Sequence, residues 1–245
     1  MTKKTFSPKA WAAMKTVREA TGTRGKVKED GQGRLWEWQY ECLAKADRET
    51  GKITDGANQK FRCFAASMEW RGSVRDARWH NFDALKGLST DELVTVIGAN
   101  LPKSAAIIRV HVSGDFFSES YFKAWIRVAR NNPQIRFYAY TKSLNFWVRN
   151  IARIPANFKL TASHGGRYDQ LIEQHSLKTA KVVFTIEEAA ALGLELDHDD
   201  SHAYDSGDSF ALLLHGGQRA GSKALSALRM LKGIGSYGQG AQKAA

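Results

Sequence analysis

The sequence predicts an α/β fold of repeated βα units, an irregular TIM-like barrel, and three observations carry that prediction. Short runs rich in β-branched and aromatic residues recur about every 25 residues through the second half of the chain. Segments with apolar residues at helical spacing lie between them. Polar residues of catalytic type follow almost every run, as they do at the C-terminal strand ends of parallel α/β folds.

Taken in order, residues 1–40 form a basic arm and loop. Lys3, Lys4, Lys9, Lys15 and Arg18 lead into the Gly-rich "GTRGKVKEDGQGR", and Phe6, Trp11 and Val17 mark a helix of about three turns. Residues 41–235 make a single α/β catalytic domain, with a short strand expected over Lys60 to Ala66. The stretch that follows interleaves Arg62, Arg71, Arg75 and Arg78 with Phe61, Phe64, Trp70, Trp79 and Phe82. Such a mixture suits phosphate neutralisation with base stacking. It equally suits a helix whose Trp79, Phe82 and Leu85 face the core while its arginines face water. Ser89 with Glu92 three places later is a capping box, and its helix should end around Gly98 to Asn100.

Strands are then expected at Ile107 to Ser113, Ile135 to Thr141, Phe158 to Ser163, Lys181 to Thr185 and Phe210 to His215, with a short extra one at Leu194 to Leu196. Between the first two, Phe122, Trp125, Ile126 and Ala129 recur at helical intervals after a capping Ser118. A last helix carries Leu225, Leu228 and Leu231 on one face, and residues 236–245 read as a flexible Gly-rich tail.

Composition narrows the function. The chain has 245 residues, 43% of them hydrophobic, enough for a substantial core. No apolar run approaches the length of a membrane span, and the N-terminus lacks the apolar core of a secretory signal, so a cytoplasmic protein is expected. Cys42 and Cys63 are too far apart for a zinc knuckle or an iron–sulfur motif, and neither cofactor is expected. The formal net charge of +11 points to a polyanionic partner, nucleic acid first.

Against that charge, "GLELDHDDSHAYDSGD" (193–208) gathers five aspartates and two histidines without a Lys or Arg. One carboxylate can act as nucleophile or general base, kept ionised by His198, His202 or nearby arginines. Alternatively Asp197, His198, Asp199, Asp200 and His202 hold one or two divalent metals, as in phosphoesterases. The third possibility is a solvated acidic turn. At other strand ends, Gly114 permits a tight turn before Asp115, whose carboxylate can accept base N–H groups or serve as a helix cap. Gly165 and Gly166 can bring backbone amides to a base or phosphate, Gln218 can read a base edge, and Lys142 and Arg167 can hold phosphates.

The stretches "KFRCFAASMEWRGSVRDARWHNFDAL", "RVHVSGDFFSESYFKAWIRVARNNPQIRFYAYTKSL" and "LDHDDSHAYDSGDSFALLLHGGQRAGS" resemble a bacteriophage gene-product family, over roughly residues 41 to 238. That family in turn resembles the phage DNA 7-deazaguanine transglycosylases, distant relatives of the tRNA-guanine transglycosylases. The resemblance implies an irregular TIM barrel that exchanges guanine for a 7-deazaguanine by double displacement at the sugar anomeric carbon. Asp115 in "SGDFF" is similar to the family's early acid–base aspartate, and the nucleophile would lie among Asp197, Asp199 and Asp200. The tRNA enzymes carry a zinc site of three close cysteines and a histidine that this chain cannot reproduce, which favours DNA as substrate. Relatives also carry an additional cysteine where Trp36 and Trp38 stand here.

The resulting expectation is a phage enzyme of the host cytoplasm that replaces guanine in DNA by a 7-deazaguanine, masking restriction sites, with neither metal nor cofactor. Its base-binding residues would be Ser113, Gly114, Phe116, His164, Gly165, Gly166, His198, His202 and Gln218. Its nucleic-acid contacts would be Arg62, Arg71, Arg75, Arg78, Lys142 and Arg167. The rival expectations are a metal-dependent nuclease built on the Asp/His cluster and a non-catalytic single-stranded DNA-binding protein.

Overall fold

The computed structural model describes residues 45–55, 60–102, 104–111 and 114–231. The basic arm, Cys42, Ser113 and the Gly-rich tail lie outside the described residues.

A small hairpin comes first, β1 (Lys45–Ala46) paired antiparallel with β2 (Ile53–Thr54). Asp47 Oδ1 turns it by accepting from the amides of Glu49 and Thr50 at 3.1 and 2.7 Å. Gly51 closes the turn at φ +70°, and a Cβ there would run into the Glu69 carbonyl, so glycine is required on both counts.

The expected strand at Lys60 to Ala66 is not formed. The segment runs through turns into one 3₁₀ turn, Ala66–Met68. A side chain replaces the missing ladder: Gln218 accepts from the Arg62 amide at 2.8 Å and donates to the Arg62 carbonyl at 3.4 Å. Helix α1 (Gly72–Leu85) follows, burying Trp79, Phe82 and Leu85 as its spacing predicts, together with Arg78. Helix α2 (Thr90–Asn100) starts on the Ser89/Glu92 capping box. Helix α3 (Glu119–Asn131) starts on Ser118, whose hydroxyl accepts from Tyr121 N at 3.1 Å.

Five strands form the main sheet: β3 (Ile107–Arg109), β4 (Arg136–Thr141), β5 (Phe158–Ser163), β6 (Thr179–Val183) and β7 (Phe210–Leu213). All neighbours are parallel, and their spatial order equals their order in the chain. The order never reverses, which distinguishes the sheet from a doubly wound one. It is an α/β fold of parallel strands alternating with helices, curled into a half-barrel. The intervening helices are α4 (Leu144–Asn150), α5 (Gln170–Gln174), α6 (Ile186–Ala191) and α7 (Ser201–Tyr204), and α8 (Lys223–Met230) follows the last strand.

The strand ends differ from expectation in instructive ways. β6 begins and ends two residues early, and its end is set by Thr185, the N-cap of α6, which accepts from Glu188 N at 3.1 Å. The expected strand at Leu194 to Leu196 reduces to a single parallel bridge, Leu196 to Ala211, made by Asp197 N to Ala211 O (2.9 Å) and Ala211 N to Glu195 O (2.7 Å).

Alternation along the strands sorts the two faces. Ile108, Phe137, Ala139, Phe158, Leu160 and Ala162 pack against the helices, with Leu93, Val96, Ile97, Phe122 and Trp125 opposite them. The other, inner face carries Tyr138, Ala180, Phe210 and Leu212, and it is covered by Ala203 and Tyr204 of α7. Asp197, Asp200 and Ala203 of the acidic segment are buried against this inner face, while Asp199, Asp205 and Asp208 are exposed.

Candidate functional site

After the Leu196 bridge, the chain crosses the inner face and turns at Asp200, which sits in the left-handed region at φ +70°. Aspartate tolerates that conformation better than most residues, because its short polar side chain can bond locally. Here its carboxylate is 6% exposed and takes three donors from the sheet. Arg109 Nη1 donates at 3.0 Å and the Tyr138 hydroxyl at 2.7 Å to Oδ2, and the Tyr140 hydroxyl at 3.0 Å to Oδ1. The Arg109 guanidinium also lies over the Tyr140 ring, 4.9 Å from its centre. Burial, then the adjacent Asp200 charge, push both phenols far above their ordinary range, so they act as neutral donors. The Lys178 ammonium holds the other end of the segment, donating to the carbonyls of His202, Ala203 (3.2 Å) and Ser206 (2.7 Å).

Asp197 is a different kind of carboxylate. It is 2% exposed, its Oδ1 accepts from Asp199 N at 3.2 Å, and its Oδ2 has no hydrogen-bond partner. Burial raises its pKa; the Asp199 amide and His202 oppose the rise, and the charges of Asp200 and Asp199 add to it. His202 Nδ1 lies 3.6 Å from Asp197 Oδ1, while its Nε2 is 2.9 Å from Oε2 of Glu195. Asp199 points outward and accepts from Ser201 N at 3.0 Å; bonds from Ser201 hold its carboxyl below the usual range. Among the clustered aspartates, one is anchored, one caps a turn and one is buried with an unused oxygen.

Asp115 belongs to a separate network at the strand ends. Gly114 at φ +102° leads into it, and its buried carboxylate accepts from Phe116 N (2.8 Å), the Thr141 hydroxyl (2.5 Å) and Lys142 N (2.5 Å). Burial raises its pKa, and these three bonds pull the other way. Ser143 completes the junction by donating to the Phe116 carbonyl at 3.1 Å. Phe116 itself is packed inward, its ring 4.7 Å from that of Phe122 and 4.5 Å from His111. Burial, then the Arg109 charge, lower His111 to about 3, so its imidazole is neutral.

The remaining expected contacts are placed as follows. The amides of Gly165 and Gly166 form an anion-binding hollow, and it is filled by the chain's own Asp169 at 2.7 and 2.8 Å. The Gln218 amide is committed to backbone groups of Arg62, His215 and Gly216. His164 is exposed and His198 half-buried. Arg62 forms a two-bond pair with Asp55, 2.8 Å each, and Arg75 bonds the Glu69 carbonyl at 2.9 Å. Arg78 is buried against the Glu69 carboxylate (2.5 Å) and the Ala65 carbonyl (3.1 Å). Arg71 is exposed beside the exposed Trp70 ring, 5.2 Å from its centre; Arg167 is exposed and Lys142 half-buried.

Sequence reasoning missed Arg109, Tyr138 and Tyr140. A usable signal was present in "FYAY", where hydroxyl-bearing rings alternate with Phe137 and Ala139 and so mark one face as polar-tipped. Among the described residues, no three His, Cys, Asp or Glu side chains are arranged to hold a metal ion. Nor is any helix there long and apolar enough to cross a membrane.

No solved structure matches the chain. The Gene 88 protein of Mycobacterium phage L5 is 33% identical over 90 residues, covering 33% of this chain and 38% of that protein. The Gene 88 protein of Mycobacterium phage D29 is 31% identical over a stretch of the same length and the same coverage. The chain thus spans well under half the length of these relatives. A family model, Gene product 88, matches residues 21–232, and the chain belongs to that family.

Proposed function

We propose that the protein is a DNA-modifying transglycosylase that exchanges guanine for a 7-deazaguanine, acting in the host cytoplasm to protect phage DNA from restriction. The observation that carries this reading is Asp197: a buried carboxyl with one oxygen unpartnered, fixed by the Leu196–Ala211 bridge on the inner face of a parallel half-barrel. Such a group suits attack on an electron-poor sugar carbon better than metal binding or simple solvation. In the first step an Asp197 carboxylate oxygen bonds the anomeric carbon as the glycosidic bond to guanine breaks, and guanine leaves with a proton taken from water. In the second, the incoming base gives up its N–H proton to water and displaces the carboxylate.

Asp200 supports this role by position. Its three donors hold the adjacent chain against the sheet, so Asp197 can be oriented by backbone and keep an oxygen unused. Because the Asp197 side chain is covered, a flipped base reaches it only after that cover is displaced. The net charge of +11 and the exposed Trp70–Arg71 pair suit the DNA partner.

The test is incubation of the protein with DNA and isotopically labelled guanine or 7-cyano-7-deazaguanine, followed by nucleoside digestion and mass spectrometry. Label in the deoxynucleoside fraction, abolished by Asp197→Asn, is the expected result. Absence of label with DNAs of varied sequence and with both bases would reject the reading.

A further inference from the structure

The Asp197 side chain is inaccessible to solvent, yet a carboxyl that changes protonation needs a route for its proton. The structure contains one candidate. His202 presents Nδ1 toward Asp197 Oδ1 at 3.6 Å, and that nitrogen is itself buried without a hydrogen-bond partner. On the opposite edge of the ring, Nε2 meets Oε2 of Glu195 at 2.9 Å, and the Glu195 side chain is 85% exposed. The imidazole thus separates a closed carboxyl from an open one. Its ring is steadied by Phe210, 5.5 Å between centres, and its backbone carbonyl is held by Lys178.

We propose that Asp197, His202 and Glu195 form a proton path that connects the buried carboxyl of the inner face to solvent. The inference rests on the reading of Asp197 as the reacting group and adds how that group is made ready. With neutral His202 carrying its proton on Nε2, the Nδ1 lone pair faces Asp197. The Asp197 proton passes to Nδ1, the Nε2 proton passes to Glu195, and Glu195 releases it to water. The imidazole ends neutral with its tautomer reversed, and Asp197 ends as a carboxylate. The 3.6 Å gap is longer than a hydrogen bond, so the first transfer needs a small movement of the ring. The other groups bearing on the path are Asp199, Asp200, the Tyr140 phenol and the Lys178 ammonium around Asp197, and Asp199 beside His202. His202 is in this scheme a positioning and relay residue, ordering Asp197 for reaction before DNA enters.

The experiment is a pH titration of the full chain by NMR, with label on the histidine ring nitrogens and the aspartate carboxyl carbons. Wild type should show His202 mainly protonated on Nε2, and the Asp197 curve should show two steps, because its proton is shared with a neighbouring group. Glu195→Gln, at an exposed site that does not threaten folding, should change the tautomer ratio severalfold. His202→Gln should reduce the Asp197 curve to one step. A His202 tautomer ratio that is the same in wild type and in Glu195→Gln, or an Asp197 curve indifferent to both variants, would overturn the proposal. Neither readout depends on base exchange, so coupled titration without labelled DNA would refute the transglycosylase reading alone.

Discussion

Asp197 and Asp200 are three residues apart yet sit in opposite environments, one with an unpartnered oxygen and one with three donors, and substitutions should separate them. For Asp197 the folded pKa is raised, so the native state binds more protons than the unfolded chain above the ordinary value of 3.8. Its contribution to stability is complete below that value and is lost as pH rises through the elevated one. Asp197→Asn removes the titration; its melting temperature relative to wild type should therefore climb as pH rises from about 4, and level off once wild-type Asp197 is fully ionised. Asp200 is anchored instead by a buried arginine pair and two phenols. Asp200→Ala should cost about 1–3 kcal/mol in urea unfolding, since the buried Tyr138 hydroxyl loses its acceptor. Asp200→Asn should cost less, because asparagine tolerates the left-handed backbone and keeps an acceptor oxygen. The sequence showed that this cluster was unusual; it did not show which aspartate was which. That distinction depends on Arg109 and the two tyrosines, which lie 91, 62 and 60 residues upstream, beyond the reach of local spacing.

At the scale of elements, α1 and its approach divide the arginines that composition alone treats as equals. Arg78 is sealed against Glu69, whereas Arg71 stands at the exposed helix start. Arg78→Ala should destabilise the protein by about 3–5 kcal/mol and leave the salt dependence of DNA binding unchanged. Arg71→Ala should leave stability within about 0.5 kcal/mol and lower the slope of log K against log salt by about 0.9. Parallel measurements of unfolding and salt-dependent binding on the two variants check both. Helices were legible wherever capping chemistry was written beside an apolar period, as at Ser89 and Ser118. β5 was legible to the residue, since its alternation is bounded by Asn157 and a glycine pair. Among the elements misread, in two a polar side chain competes with the ladder: the Thr185 hydroxyl claims the next helix from β6, and Gln218 occupies the Arg62 backbone. Apolar runs announce strands, but these side-chain bonds set where strands stop or fail to start.

For the whole molecule, the alternation of strands and helices made a parallel sheet legible, and the absence of a strand reversal made the curl intelligible once the pairing was known. What occupies the inside of the curl was not legible, because an acidic run on a basic protein is expected in water. The burial of Asp200 within that run follows from the polar tips of Arg109, Tyr138 and Tyr140, which supply the charge and hydrogen bonds that an apolar inner face would lack. The strand order has a further consequence, for the protein's birth. Each strand pairs with the one synthesised immediately before it, so the sheet can assemble behind the ribosome in step with translation. The inner-face network cannot, because Arg109 must wait for Asp200, which emerges 91 residues later. A nascent chain stalled after β6 should therefore show protected strand amides by hydrogen exchange, while Tyr138 and Tyr140 remain open to nitration. Release of the next 30 or so residues, including β7, should close them. Translation would thus pair the first four strands before β7 emerges, and only then would the Leu196–Ala211 bridge fix the Asp197 carboxyl in place.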